Sequence, residues 1–363
     1  MKRVIELVKH KCLCATALLL ITSLGWSSMA AAAVCSSTNY VLSTQAEVDA
    51  LGATGCDSVA GNLEIEYVTD ITSLDGLSNI TSVGRNLTVG DNDVLTNLDG
   101  LSNITSVGRD LVISSNAALT NLDGLAGLSS VGRKVSIGYN DTLVNLDGLA
   151  NLTSVGEEVG IRDNAALANL DGLASLTSGG LDLFITYNAA LTNLDGLANL
   201  PSAGQLNISD NDTLVNLDGL ANLTSIGKAL IIGLNPVLTD LDGLASITSV
   251  ENDLRVSTNY VLTDLGGLAN IASVGGDLYI ASNPELSCEG IALLLGWPNG
   301  PPDDSVGGDI TISSNAIGCN SIAEVLASYI PPSSSPGSVN GRFKALLQAV
   351  QNARGGGRGK QAQ

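Results

Sequence analysis

One phrase is repeated along residues 61–287, and it leaves the chain very few ways to fold. A clear copy runs from Asn97-Leu98-Asp99-Gly100-Leu101 through Ser106-Val107-Gly108 to Leu111-Val112-Ile113-Ser114-Ser115-Asn116. Counting the aspartate of the D-G-L triplet as position 0, copies begin at Asp75, Asp99, Asp123, Asp147, Asp171, Asp195, Asp218, Asp242 and Gly266. Each step is 24 residues except the 23 between Asp195 and Asp218. A fixed period of this size belongs to stacked units, none of which buries its apolar face alone. The expected architecture is a repeat solenoid of about 24 residues per coil, a right-handed parallel β-helix or a close relative.

Within a coil, apolar residues fall at +2, +5, +8, +12, +14, +20 and +23. In the copy at Asp99 these are Leu101, Ile104, Val107, Leu111, Ile113, Leu119 and Leu122. Alternation at +12 and +14 marks a strand with one buried face, so a short parallel strand is expected around +11 to +15. Glycines at +1 and +9 interrupt every candidate helix, and the rest of the coil reads as extended segments and turns. Asparagine recurs at +17, from Asn92 to Asn283. An amide both donates and accepts, so stacked inward asparagines can satisfy backbone groups where the chain leaves the strand. That reading outweighs calcium, because the acidic neighbours of Asn92 are replaced by Ser114-Ser115 or Gly233-Leu234 in other coils. Serine at +7, from Ser82 to Ser273, reads as a turn-stabilising hydroxyl rather than a nucleophile.

The opening of the array carries a resemblance. Cys56, then Gly61-Asn62-Leu63-Glu64-Ile65-Glu66-Tyr67-Val68, then Asp70 to Leu74, is similar to the start of the receptor L-domain family, a relative of the leucine-rich repeats. The phrase from Ser106 to Asn116 resembles the same family, and the likeness runs from about Cys35 to Cys319. It implies a leucine-rich-repeat-like solenoid. It implies little about function, since the family includes receptor ectodomains, fungal wall proteins and bacterial surface proteins.

The ends of the array read differently. Lys2, Arg3, Lys9 and Lys11 precede an apolar run from Cys12 to Leu24 and an A-x-A site ending at Ala33, so residues 1–33 read as a secretory signal. Residues 34–60 are expected to form an N-terminal cap, 61–287 the solenoid, and 288–330 a C-terminal cap. That last segment should hold a final coil at Asp309–Asn315, giving about eleven coils, and Ser321–Glu324 is a capping-box pattern before a short helix. Residues 331–363 read as a linker, an amphipathic Arg342–Ala353 segment and a mostly disordered basic tail. Past the signal four cysteines remain, one pair on each side of the repeats. In an oxidising compartment they read as disulfides, Cys35 with Cys56 and Cys288 with Cys319, because other pairings would span the array.

Charge narrows the partners. All but one of the 36 acidic residues lie in 34–330, beside seven of the 16 basic ones. So acidic a body repels nucleic acid and anionic lipid, and no later stretch is long and apolar enough to span a bilayer. The reading is a secreted or cell-envelope protein, a monomer that needs no metal or cofactor.

A site must lie on the coil surface, because the interior positions are committed to stacking. The outward strand position +13 reads Thr88, Val112, Ser136, Gly160, Phe184, Asn207, Ile231, Arg255 and Tyr279. It varies while the buried columns hold, which suits a heterogeneous binding face and not the repeated threonine array of an ice-binding surface. Phe184, Tyr187, Arg255, Tyr260 and Tyr279 are the side chains best suited to anchoring a partner. Catalysis has little support. The only histidine, His10, lies in the signal, the cysteines are paired, and no local cluster of Asp, Glu and Lys breaks the repeat. The expectation is a non-enzymatic binding module for a protein or glycan, with a passive envelope spacer as the alternative and a carbohydrate-active enzyme third.

Overall fold

The computed structural model describes residues 33–68, 70–294 and 306–329. The chain divides into the units Met1–Ala33 and Val34–Gln363. Of the first unit only Ala33 is described, and the solenoid with its caps belongs to the second. Residues 1–32 of the expected signal and the segment from 331 onward lie outside the described residues.

The repeat forms a solenoid. Each coil opens with a three-residue 3-10 turn at the D-G-L triplet, such as Asp99–Leu101. The asparagine two residues before the aspartate holds the turn: Asn97 Oδ1 accepts from the Asp99 amide at 3.1 Å. Most coils follow with a two-residue strand, such as Ser106–Val107, and every coil with a longer one, such as Leu111–Ser114. The long strands make one parallel sheet of twelve, ordered as they occur in the chain from Tyr40–Leu42 to Ile310–Ser313. Register pairs each residue with its equivalent in the next coil, as in Leu87 with Leu111 and Val89 with Ile113. The short strands form a second parallel ladder that the expectation of one strand per coil had missed. It runs unbroken from Ser58–Val59 to Ser154–Val155 and stops where Gly179 replaces the usual valine. There the Ser178 hydroxyl takes the Val155 amide instead.

The apolar columns are the interior. Leu101, Ile104, Val107, Leu111, Ile113, Leu119 and Leu122 are all at most 1% exposed, so seven positions per coil exclude water. Glycine at +1 is required by the approach of neighbouring coils. A Cβ on Gly124 would lie 1.9 Å from the Leu98 carbonyl oxygen, and one on Gly148 1.7 Å from that of Leu122.

The +17 asparagines form the expected ladder, fully buried from Asn92 to Asn283. Asn116 shows the pattern. Its Nδ2 donates to the Val89 carbonyl one coil back at 3.0 Å and to Asn140 Oδ1 one coil on at 3.1 Å. Its backbone amide donates to the same Asn140 oxygen. The ladder ends at Asn315, whose amide is taken by Asn320 Oδ1 at 2.7 Å. At the other end Asn92 Oδ1 has no partner among the described residues, and its register partner one coil back is Val68.

Most of the +7 serines, such as Ser82 and Ser106, stand in the short strands and not in turns. The clasp is the exposed residue at +6. Thr81 Oγ1 donates to the Asp57 carbonyl, Thr105 Oγ1 to Thr81 and Ser129 Oγ to Thr105, each one coil back. A run of hydroxyls from Thr81 to Thr177 therefore lies away from +13, with its protons committed to the preceding coil.

Both ends are capped by helices. α1 (Gln45–Ala53) starts at Thr44, whose Oγ1 accepts from the Glu47 amide. It buries Val48 and Leu51, and Gln45 Oε1 accepts the Thr72 and Ser73 amides of the first coil. Cys35 and Cys56 are joined in this cap. After the last full repeat come α2 (Cys288–Leu294), the strand Ile310–Ser313 and α3 (Ile322–Tyr329), with Cys288 joined to Cys319. The capping box forms at α3: Ser321 Oγ accepts the Glu324 amide, and Glu324 Oε2 accepts the Asn320 amide. α1 was not read from the sequence.

Candidate functional site

The outward face of the long sheet is built from three columns. Position +13 carries the varied side chains. At +15 the residues between Gly90 and Ser313 are Gly, Ser, Thr or Ala in every coil except at Arg162. Small side chains suit that place because the next coil is close: a Cβ on Gly138 would lie 2.8 Å from the Arg162 carbonyl oxygen. At +16 the backbone is left-handed in every coil, with φ of 53–61° from Tyr67 to Ser314. That conformation costs an ordinary L-residue about 1–2 kcal/mol. It is held by the stack, since the Tyr187 amide donates to the Ser209 carbonyl and the Leu234 amide to the Ser257 carbonyl of the next coil. The twist turns the +17 asparagine inward and throws the +16 side chain outward. Tyr187 is 56% exposed as a result, and Leu234 45%.

Two rails and a low floor result. Across the coils from Arg162 to Tyr279 they enclose a cleft of about 560 Å³. One rail is Phe184, Asn207, Ile231, Arg255 and Tyr279, and the other is Tyr187, Asp210 and Leu234. Thr186, Ser209, Gly233 and Ser257 form the floor. Of the residues singled out from the sequence, the fold brings Phe184, Tyr187, Arg255 and Tyr279 to this cleft. Tyr260 is exposed in the turn after Asn259 and does not line it. Sequence reasoning missed Arg162, Asp210 and Leu234. The signal for Arg162 was a long side chain in a column of small ones. For the +16 residues there was none, since Tyr, Asp and Leu do not announce a left-handed backbone.

The one-residue deletion lies beside the cleft. Leu181 pairs with Ala203 but Leu183 with Leu206, so the shorter coil is absorbed by a register shift at the start of the strand carrying Asn207.

Charges here are locally compensated. The Arg162 guanidinium carbon sits 4.5 Å from the Phe184 ring centroid, a cation–π contact. Arg162 Nη2 also donates to Glu158 Oε1 at 2.8 Å, and Lys134 Nζ to Glu158 Oε2 at 2.9 Å. Burial works to raise the Glu158 pKa, but hydrogen bonds from Lys134 and Arg162 outweigh it and hold the carboxyl below its ordinary value. Arg255 Nη2 donates to Asp253 Oδ2 at 2.8 Å, and Lys228 Nζ to Asp182 at 2.7 Å. Asp253 is held low by the Asp277 amide and then by Arg255. Asp210 is pushed up by burial, with Asp212 adding to it, against a hydrogen bond from the Tyr187 hydroxyl. Among the described residues no group of three His, Cys, Asp or Glu is placed to hold a metal ion.

The depressed Glu158 pKa fixes a pH dependence. A carboxylate with a lowered folded value contributes stability above its unfolded pKa of about 4.3 and loses it as pH falls through the folded value. Wild type is therefore expected to unfold at a higher temperature than Glu158→Gln at pH ~7, with the gap closing near pH ~3. Thermal unfolding of both proteins at the two pH values checks this. A gap unchanged in acid would remove the Lys134–Glu158–Arg162 network as its cause.

No protein-family model and no curated protein matches this chain. Among solved structures the chain is similar to a leucine-rich-repeat protein of Leptospira interrogans, at 16% identity and a TM-score of 0.29, over 76% of this chain and 82% of that one. So slight an overlap adds nothing to the coils themselves, which define a leucine-rich-repeat-like parallel solenoid.

Proposed function

We propose that this protein is an extracellular or cell-envelope binding module, of the receptor L-domain kind, that holds a protein or glycan in the strand-face cleft. The observation that carries the reading is where variation collects. Stacking explains the recurrent Leu, Ile, Asn, Gly and Ser, while aromatic and arginine side chains that stacking does not need meet around one concavity of ligand-binding size. Two disulfides suit an oxidising compartment. No helix among the described residues is long and apolar enough to cross a membrane.

The test is capture on defined panels of purified envelope proteins and glycans, with wild type beside the triple variant Phe184→Ala, Arg255→Ala, Tyr279→Ala. Whatever wild type captures should bind the variant at least about tenfold more weakly, or about 1.4 kcal/mol. The unfolding midpoint should stay close to wild type, because all three side chains stand outside the core. Equal capture by both proteins would remove the cleft as the site. Capture of nothing by wild type would leave the passive spacer.

A further inference from the structure

The cleft holds enough detail to narrow the ligand class, and the narrowing rests on the reading of it as a binding site. Its long axis crosses the strands. From the coil of Phe184 to that of Tyr279 there are four steps of ~4.8 Å, or ~19 Å. That suits a linear chain rather than one small molecule.

The cleft lies on the face of the sheet and not at an edge. Its strands hydrogen-bond to neighbours on both sides, so an incoming peptide finds no backbone ladder to extend. Recognition must come from side chains. Those chains are of two kinds. Tyr187 and Tyr279 are 56% and 39% exposed, whereas Phe184 has Arg162 against one face. Between the rings stand flat polar groups already held in place. Asn207 Oδ1 accepts from the Ser209 hydroxyl, and Arg255 is fixed by Asp253. Ile231 and Leu234 supply an apolar middle on opposite rails.

Rings beside a pre-oriented amide and guanidinium, with the Asp210 carboxylate on the facing rail, match the surface of a sugar, which has an apolar C–H face and a rim of hydroxyls that donate and accept. Net charge offers little to a charged ligand, because Arg162 and Arg255, the cations that line the cleft, are both ion-paired. An anionic polymer would also meet the acidic body. We infer that the cleft binds a linear, uncharged oligosaccharide of several units, stacked on Tyr187 and Tyr279 and hydrogen-bonded through Asn207, Asp210 and Arg255.

The experiment titrates the protein against defined probes: neutral gluco-, manno-, galacto- and chito-oligosaccharides of four to six units, acidic uronate oligosaccharides, and uncharged and charged peptides of matching length. A neutral oligosaccharide should bind, with affinity changing less than about threefold between about 0.05 and 0.5 M salt, since no ion pair forms on binding. Tyr279→Ala should weaken that binding about tenfold or more, and Tyr279→Phe, which keeps the ring, by less than about threefold. The inference is overturned if no neutral oligosaccharide binds, if uronates or peptides bind in preference, if salt abolishes binding, or if Tyr279→Ala binds as wild type does. A preferred peptide that is lost in the triple variant would leave the cleft as a binding site and remove only the glycan.

Discussion

Gly148→Ala is expected to lose about 3 kcal/mol or more of stability, one of the two largest effects in the molecule. The added methyl would lie 1.7 Å from the Leu122 carbonyl oxygen and 2.1 Å from its carbon. Those atoms are backbone of the coil before, so neither residue can rotate away, and separating the coils would break the ladders on both sides. Gly227→Ala is the matched control, because the atom nearest its added Cβ is the Ala203 oxygen at 3.8 Å. It should fall within about 0.5 kcal/mol of wild type. Chemical denaturation of the two variants checks the pair. Equal stability would mean that the coil spacing is looser than the D-G-L turns require.

Asn164→Leu is the second. Asn164 Nδ2 donates to the Ile137 carbonyl at 3.1 Å and to Asn188 Oδ1 at 3.2 Å, while Oδ1 accepts the amide and the side chain of Asn140 at 3.3 Å. Leucine fills a similar space but leaves the Asn140 amide and the Ile137 carbonyl without these partners in a dry interior. Each such group costs about 1–3 kcal/mol, so the expected loss is roughly 3–5 kcal/mol. Because coils couple mainly to their neighbours, the damage should be local and hydrogen exchange should quicken first around residues 137–188. Asn92→Leu is expected to cost less, since Asn92 Oδ1 accepts nothing among the described residues and only its donated bonds are lost. If Asn92→Leu proved as damaging as Asn164→Leu, the ladder would not be the source of the effect.

The same residues show how far the sequence could be read. Leu111 and Ile113 announced a strand by alternation, and Asn116 announced an inward ladder by recurring where an apolar residue would otherwise stand. The S-V strands were hidden, because two residues are too few to show a period. The 3-10 turn was hidden because D-G-L reads equally well as a loop. Serine at +7 was given the clasp that belongs to +6, since hydroxyls on neighbouring residues cannot be told apart until the carbonyl they reach is in view.

The site was legible only in part. Phe184, Arg255 and Tyr279 stood out as large side chains in one column, and Tyr187 as an aromatic near it. Tyr260 stood out for the same reason, yet one residue past the buried Asn259 its side chain points elsewhere than the cleft. By itself the sequence determined the period, the register and the columns that face inward, because each follows from local spacing repeated coil after coil. Only the tertiary structure decided the left-handed +16 residues, the low +15 floor and the meeting of Tyr187, Asp210 and Leu234 across from Asn207 and Arg255. Those features come from hydrogen bonds and close approaches between residues 22 to 24 apart, and such contacts exist only once one coil lies on the next.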